Sequence, residues 1–109
     1  MRIIGTGSAL PRKVVTNEML TGFLDTSDEW IYPRTGIKTR HVISDENLED
    51  LGAEAVSKAL EMSGLNAEDI DLFVVSNVVS EYVTPSISCI IGEKLGLKCP
   101  MFDINCACP

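Results

Sequence analysis

Apolar side chains recur with different periods along the chain, and these periods predict alternating helices and strands. Between Glu46 and Ser63 they recur every three or four positions, which predicts a helix with one buried stripe. Leu72 to Val79 shows little polar alternation, so we expect a central strand that is covered on both faces. Met101 to Ile104 predicts the next strand. The members of the expected helical stripe are Leu48, Leu51, Ala55, Ala59 and Met62.

Capping residues predict where the helices begin and end. Thr16-Asn17-Glu18 and Thr26-Ser27-Asp28-Glu29 are typical of helix starts, because a side-chain oxygen can accept from the free N–H groups of the first turn. We expect Pro33 to end the second of these helices. Gly64 suits the left-handed residue after a helix. Thr84-Pro85 predicts an N-cap followed by proline at the first helical position.

The order of these elements indicates the fold class. Arg2 to Thr6 is short and rich in β-branched residues, which predicts a first strand. Strand, helices, strand, helix and strand in this order are typical of an α/β protein with a mostly parallel sheet. At 109 residues the chain is long enough for one small domain. We predict a single incomplete domain over residues 1–109, since a helix is expected after Phe102 to Cys106 and the sequence ends instead.

Composition narrows the function classes. The hydrophobic content of 45%, the charged content of 23% and the net charge of −7 indicate a globular protein and argue against a nucleic-acid partner. The longest apolar run, Leu72 to Val79, is interrupted by Ser76 and Asn77 and is too short for a membrane span. Met1 to Pro11 is too short and too rich in glycine for a signal peptide. We therefore expect a cytoplasmic protein without a membrane partner.

Cys108 is the candidate nucleophile. It follows the last predicted strand, and reactive groups in open α/β sheets collect at the carboxyl ends of strands. A helix that began at Cys108 or Pro109 would stabilise a thiolate through its dipole. The alternative is a small, buried, unreactive cysteine, and spacing alone leaves both open. The chain has four cysteines, and we expect them to be free thiols rather than disulfides, because the protein is expected to be cytosolic.

Two other groups of residues have competing interpretations. Cys99, Cys106 and Cys108 could suggest a metal site, but they lack a CxxC pair and the single histidine, His41, is distant in sequence. Zinc sites usually show tighter spacing, so no metal is predicted. Trp30 is either a core residue or, beside Arg34, a partly exposed platform for a planar anionic ligand.

Several segments together resemble β-ketoacyl-acyl carrier protein synthase III, the initiating condensing enzyme of type II fatty-acid synthesis. The resemblance rests on DTSDEWIYPRTGIKTRH (Asp25 to His41), on IIGTGSALP (Ile3 to Pro11), on Thr84 to Ser86 and on FDINCACP (Phe102 to Pro109). It implies the thiolase fold, a duplicated layered α/β structure. The chain would then be the N-terminal part of the first half of that fold, which makes its fold class a partial thiolase-like α/β fold with a mostly parallel sheet.

The resemblance also implies a role for each site residue. Cys108 matches the nucleophile at the start of a buried central helix. Trp30 matches the residue that stacks on the adenine of coenzyme A, and Arg34 matches the residue beside the adenine and its phosphates. Thr26 matches a residue at the rim of the coenzyme A tunnel. Thr84 stands where many members carry a bulky phenylalanine that reaches across the dimer into the partner's acyl pocket, so a longer or branched primer is expected.

The reaction implied is a condensation through a cysteine thioester. Acyl-CoA is a substrate rather than a cofactor, malonyl-acyl carrier protein is the second substrate, and the whole enzyme is expected to be a homodimer. The family's catalytic histidine and asparagine come from its second half, and His41 matches no such motif. We therefore expect no condensation by this chain alone and a large exposed apolar surface. The alternative is an inactive remnant that binds coenzyme A, a nucleotide or a partner chain.

Overall fold

A computed structural model describes residues 1–79 and 81–105, and the chain divides into two compact units. Leu10–Glu46 forms the first, which we call the hairpin unit, and Met1–Ala9 with Asn47–Pro109 forms the second, the sheet unit. The predicted nucleophile Cys108 lies outside the described residues. Whether the two units make up one domain therefore stays a prediction.

An antiparallel strand pair organises the hairpin unit. Strand β1 (Lys13–Thr16) pairs with strand β2 (Thr39–Val42), with Lys13 opposite Val42. Between them lie helix α1 (Asn17–Leu20) and helix α2 (Asp28–Thr35). Thr35-Gly36 is a turn signal, and Ile37 to Ile43 is expected from the sequence to be a short extended piece; β2 falls inside it. Strand β1 was not predicted, because four residues with no clear alternation give too weak a pattern.

Helix α2 begins at the predicted cap and runs past the predicted stop. The Oγ of Ser27 accepts from the N–H of Trp30 at 3.2 Å, which satisfies one free donor of the first turn. The expectation that Pro33 ends the helix is wrong, because the helix continues through it. Gly36 ends the helix instead, at φ 70°, with its N–H donating to the carbonyl of Tyr32. A proline in the last turn removes only one bond, which the cap at Gly36 outweighs.

The carboxylate of Glu46 joins the two chain ends of the hairpin unit. Its Oε1 accepts from the N–H of Arg12 at 2.7 Å and its Oε2 accepts from the N–H of Ser44 at 3.2 Å. These bonds stabilise the charged form, the bond from Arg12 most of all, and lower the pKa of Glu46 to about 2 from 4.5.

This pKa predicts how the stability of the hairpin unit depends on pH. A lowered carboxyl pKa means that the stabilisation is complete above pH 4.5 and is lost as the pH falls toward 2. We expect Glu46→Gln to melt at a lower temperature than the native chain at pH 6, and the difference to disappear near pH 2. Thermal melts of both proteins across this range measure it, and a difference that stays constant with pH would contradict the assignment.

The sheet unit contains a parallel strand pair and two helices. Helix α3 (Leu48–Ser63) and a 3₁₀ turn (Ala67–Asp69) lead to strand β3 (Phe73–Ser76). Helix α4 (Ile87–Leu95) then connects β3 to strand β4 (Met101–Ile104), which pairs with it in parallel, Phe73 opposite Met101. This β3–α4–β4 order confirms the predicted parallel pairing, and Gly64 takes the predicted left-handed conformation at φ 72°.

Burial in the sheet unit differs from the predicted pattern. Among the described residues, the buried apolar side chains are Ile87, Ile91 and Leu97, in and just after α4. The predicted stripe on α3 is wrong at its ends, since Leu48 is exposed and Met62 is 66% exposed. These two positions lie at the helix termini, where few neighbouring residues cover them.

The predicted covering of β3 on both faces is also wrong for the described residues. Burial alternates along β3 and β4, so Val74 and Phe102, which lie opposite each other, are 40% and 45% exposed. Helix α4 contacts both strands, whereas the face that carries Val74 and Phe102 is open. This open face agrees with the exposed apolar surface that we expect.

The N-terminal segment lies along α3 instead of forming a strand. No ladder bond joins Arg2–Thr6 to any described residue, so the predicted first strand is wrong in this structure. Gly5 and Gly7 approach the backbone of α3 at Ala59 and Ala55 more closely than a residue with a Cβ atom could. The glycines that the sequence places here therefore allow helix contact.

Candidate functional site

An aromatic ring and a guanidinium group stack on the surface of α2. The Cζ of Arg34 lies 4.6 Å from the centre of the Trp30 ring, and its Nη1 donates to the carbonyl of Trp30 at 2.9 Å. One helical turn separates the two residues, which places them on the same face. This pair, the Trp30–Arg34 platform, combines a flat apolar surface with a positive charge held over it.

Exposure distinguishes between the two interpretations of the tryptophan. Trp30 is 56% exposed, so its interpretation as a core residue is wrong. More than half of its surface stays available to a ligand while Arg34 is stacked on it. A planar group that carries negative charge, such as a purine nucleotide, matches both properties of the platform.

A second cation lies over a second ring in the same unit. The Nζ of Lys38 is 5.0 Å from the centre of the Tyr32 ring. Tyr32 is two residues from both Trp30 and Arg34, so the helical period directs it to a different side of α2. Lys38 therefore adds positive charge near this helix without extending the platform itself.

A buried polar network connects α1, α2 and β2. Asn17 is only 2% exposed, and its Nδ2 donates to Oδ1 of Asp28 at 2.6 Å and to the carbonyl of Ile37 at 2.8 Å. Its Oδ1 accepts from Nη2 of Arg40 at 2.5 Å, and Arg40 also donates to the carbonyl of Val15. Every polar group of the Asn17 side chain thus has a partner, as a buried amide requires.

The other two predicted binding residues lie in separate units. Thr26 is half-buried in the hairpin unit, immediately before the cap of α2. Thr84 is exposed in the sheet unit, in the irregular segment before α4. The prediction that Thr84 caps α4 is wrong, because Ser86 is the N-cap residue. The structure therefore groups Thr26, Trp30 and Arg34 in one unit, and their binding roles stay predictions.

A crevice opens at the carboxyl ends of the parallel strands in the sheet unit. Its volume is about 320 Å³, and side chains from the segment after β3 and from β4 line it. This is the edge at which open α/β sheets place their ligands. One of its lining residues, Asn105, is three residues before the predicted nucleophile Cys108 in the sequence. Its lining residues are Asn77, Val78, Val79, Tyr82, Val83, Asp103 and Asn105.

The carboxylate of Asp103 replaces a conventional cap at the start of α4. Its Oδ2 accepts from the N–H of Ile87 at 3.1 Å and its Oδ1 accepts from the N–H of Ser88 at 2.9 Å. The N-cap side chain of Ser86 makes no capping bond. Burial raises the pKa of Asp103, but the hydrogen bonds from Ser88 and Ile87 outweigh it and leave the pKa below its ordinary value.

The cysteines give little information about the site. Cys89 is exposed and Cys99 is half-buried, both as free thiols, while Cys106 and Cys108 lie outside the described residues. Within residues 1–79 and 81–105, no three histidine, cysteine or acidic side chains come together as a metal site would require. No helix in the same part of the chain is long and apolar enough to cross a bilayer.

Sequence comparison identifies the relatives of this chain. A β-ketoacyl-[acyl-carrier-protein] synthase III of Clostridium acetobutylicum is 50% identical over 109 residues, and one of Clostridium perfringens is 52% identical over 108 residues. These alignments cover 99% and 98% of this chain. Over nearly its whole length the chain is similar to β-ketoacyl-[acyl-carrier-protein] synthase III. It spans 34% and 33% of the length of these two relatives.

Solved structures agree with the sequence comparison. The 3-oxoacyl-[acyl-carrier-protein] synthase III of Aquifex aeolicus matches 94% of this chain with a TM-score of 0.92 at 38% identity, and the match covers 34% of that protein. A priming β-ketosynthase of a polyketide biosynthetic pathway matches 94% with a TM-score of 0.90 at 37% identity. No family model matches the chain. The predicted resemblance to synthase III and the predicted partial thiolase-like α/β fold are confirmed.

The residues that hold these surfaces in place were not predicted from the sequence. Asn17 was interpreted only as part of a helix start, and Asp103 only as part of a strand. Neither lies in a recognisable motif, and their partners are 11 to 23 and 15 or 16 residues away in sequence. Only folding brings these donors and acceptors together. The one signal in the sequence was the position of Asn17, a polar residue directly after the predicted cap residue Thr16.

Proposed function

We propose that this chain is the part of a β-ketoacyl-acyl carrier protein synthase III that binds coenzyme A and carries the nucleophile. The observation that carries the proposal is the Trp30–Arg34 platform, in which the indole ring is exposed and a guanidinium group lies 4.6 Å above it. The adenine of coenzyme A would stack on Trp30, and Arg34 would lie beside the adenine and its phosphates. Thr26, half-buried before the same helix, would contribute to the rim of the tunnel.

Cys108 would be the nucleophile of this reaction. Its thiolate attacks the thioester carbonyl of acyl-CoA, the bond from that carbonyl to the sulfur of coenzyme A breaks, and coenzyme A leaves as the thiolate. Malonyl-acyl carrier protein then loses carbon dioxide, and the resulting carbanion attacks the acyl group on Cys108. The products are a β-ketoacyl-acyl carrier protein and the free cysteine, so the first condensation of fatty-acid synthesis is complete.

The second step requires groups that this chain does not supply. An enolate that develops during decarboxylation needs hydrogen-bond donors close to its oxygen, and the family takes them from a histidine and an asparagine of its second half. His41, the chain's single histidine, donates from Nδ1 to the carbonyl oxygen of Pro11, 2.6 Å away, within the hairpin unit. We therefore infer that the chain alone performs no condensation. From the resemblance to synthase III we also infer that the whole enzyme is cytoplasmic and acts as a homodimer.

The crevice in the sheet unit would hold the acyl chain. Its lining includes several apolar side chains of the segment that follows β3, and Thr84 comes directly after that segment. Threonine is much smaller than the phenylalanine that many members have at this position. Because this position reaches across the dimer in the family, we infer that Thr84 leaves more room in the acyl pocket of the partner and that the enzyme accepts a longer or branched primer.

One observation favours a second candidate function, an inactive chain that binds coenzyme A, a nucleotide or a partner chain. Val74, Phe102 and Ile104 expose apolar surface on one face of the parallel strands, and such a surface is typical of a protein interface. This candidate differs from the first because it requires no chemistry at Cys108.

Fluorescence of the single tryptophan tests the proposal directly. Because Trp30 is the one tryptophan of the chain, stacking of adenine on it should quench the emission. We expect coenzyme A and adenosine 3′,5′-bisphosphate to quench the native chain and pantetheine, which lacks the nucleotide, to leave it unchanged. Arg34→Gln should weaken binding of coenzyme A about tenfold, because a hydrogen bond to a charged group is lost.

Lys13→Gln is the matched control for this titration. Lys13 is an exposed residue of β1 in the same unit, and its replacement removes the same single positive charge without touching the platform. Absence of quenching by any of the three ligands would refute the proposed binding role. Equal weakening in Arg34→Gln and Lys13→Gln would show attraction by net charge alone.

A further inference from the structure

The amide group of Asn17 holds both ends of the helix that carries the Trp30–Arg34 platform. One N–H of Nδ2 donates to Asp28, the first residue of α2, at 2.6 Å, and the other donates to the carbonyl of Ile37, directly after the cap at Gly36, at 2.8 Å. A single side chain therefore contacts α2 at its beginning and just past its end.

Helix α2 has few other means of attachment. It has eight residues, none of them buried, and isolated helices of this length are unstable in water. An amphipathic helix is normally positioned by the apolar face that it buries. Because α2 lacks a fully buried side chain, its position depends on the polar contacts at its two ends.

The hydrogen bonds of Asn17 are mutually dependent. Its Oδ1 accepts from the guanidinium of Arg40 on β2, which fixes the amide plane and turns both N–H groups toward α2. The carboxylate of Asp28 and the guanidinium of Arg40 carry opposite charges on the two sides of this neutral amide. Asn17 itself is 2% exposed, whereas Asp28 and Ile37 are exposed and Arg40 is half-buried. Removal of the Asn17 side chain therefore takes one hydrogen bond from each of these three residues, and no other side chain in the network replaces it.

We propose that Asn17 is a positioning residue for nucleotide binding, which acts by holding α2 so that Trp30 and Arg34 present a preformed surface. This inference rests on the proposed binding of coenzyme A at the Trp30–Arg34 platform. When the platform must become ordered on binding, the free energy of ordering weakens the affinity for the ligand. A preformed platform avoids this loss of affinity. Asn17 itself would touch no ligand atom.

The experiment compares two asparagine variants of the full 109-residue chain. Asn17→Ala removes the contacts to α2, whereas Asn47→Ala removes the cap of α3 in the other unit, where Oδ1 of Asn47 accepts from the N–H of Asp50 at 2.8 Å. Both variants lose hydrogen bonds of an asparagine side chain, but only the first should affect Trp30. We expect Asn17→Ala to bind coenzyme A about tenfold more weakly and Asn47→Ala to bind it like the native chain.

Quenching of Trp30 by acrylamide gives a second readout on the folded protein. At a temperature where circular dichroism shows both variants folded, we expect faster quenching of the Trp30 emission in Asn17→Ala and native quenching in Asn47→Ala. A general loss of stability would change both variants alike. Only a local release of α2 changes the tryptophan environment in one of them.

A second pair of variants keeps the proposal testable should Asn17→Ala fail to fold. Asp28 is exposed, so Asp28→Ala and Asp28→Asn are expected to fold, and both remove the same negative charge. Asparagine keeps an oxygen that accepts from Asn17, whereas alanine does not. We expect Asp28→Asn to bind coenzyme A several-fold more tightly than Asp28→Ala.

The outcomes separate this inference from the proposed function. When the native chain does not bind coenzyme A, the proposed function fails. When the native chain binds and Asn17→Ala, or Asp28→Ala relative to Asp28→Asn, binds equally well with native acrylamide quenching, the positioning role of Asn17 is overturned and the platform stands without it.

Discussion

Replacement of Gly7 by alanine is expected to destabilise the sheet unit by about 3 kcal/mol or more, at the upper end of the range for overpacking. A Cβ atom at Gly7 would overlap the carbonyl oxygen of Ala55 and lie 2.7 Å from the backbone nitrogen of Ala59. Backbone atoms inside α3 cannot move aside without breaking helical hydrogen bonds. The N-terminal segment would therefore separate from the helix, and a chemical denaturation curve measures the loss.

Gly22→Ala is the matched control for the Gly7 variant. The nearest atom to a Cβ at Gly22 is the carbonyl oxygen of Met19 at 3.5 Å, an ordinary van der Waals distance. Gly22 also has no positive φ angle. The same chemical change should therefore alter stability by less than about 1 kcal/mol. Equal effects of the two substitutions would show that the N-terminal segment does not pack against α3 as described.

Removal of the Asp103 carboxylate is expected to cost about 2 to 3 kcal/mol, because it leaves two backbone donors at the start of α4 without an acceptor. Ser88, which is completely buried, would lose the partner of its N–H. Asp103→Ala should therefore unfold at a lower denaturant concentration and should also loosen the crevice that Asp103 lines. Thermal and chemical denaturation measure the first effect, and amide hydrogen exchange of Ile87 and Ser88 measures the local one.

The pH dependence of stability separates the charge of Asp103 from its size. Its pKa is below the ordinary value of 3.8, so its stabilisation is complete above that pH and is lost as the pH falls through the lower value. Asp103→Asn keeps one acceptor and should lie between the native chain and Asp103→Ala at pH 7. In strong acid the native chain and Asp103→Asn should converge. An alanine variant as stable as the native chain at pH 7 would exclude a capping role.

Local chemistry made several helix termini predictable. Thr16 caps α1, Ser27 caps α2 and Gly64 ends α3 at φ 72°, as the sequence predicts, whereas α2 runs past the predicted stop to Gly36. These interactions involve residues three or four positions apart, so the amino acids that make them can be recognised within a short stretch of sequence. The predicted cap of α4 is wrong because the group that caps this helix is distant in sequence. It is the carboxylate of Asp103, 15 residues after Ser88.

Burial was much less predictable than secondary structure. The apolar run at Leu72 to Val79 indicates a strand covered on both faces, but a described strand of four residues with an open face is present instead. Whether an apolar side chain is covered depends on which other elements lie over it, and the run itself does not contain that information. The same reason applies to Leu48 and Met62, which have the helical spacing of buried residues and are exposed.

The sequence alone was enough to predict the order of helices and strands from α3 to β4, the parallel pairing of β3 and β4, several helix termini and the resemblance to synthase III. These predictions rest on hydrophobic periods, capping residues and short motifs, which can be recognised from a few neighbouring residues. The folded structure was needed to show that Trp30 is exposed, that Asn17 is buried and that Asp103 caps α4. Burial and the hydrogen bonds of Asn17 and Asp103 depend on residues far apart in sequence, which come together only after the chain has folded.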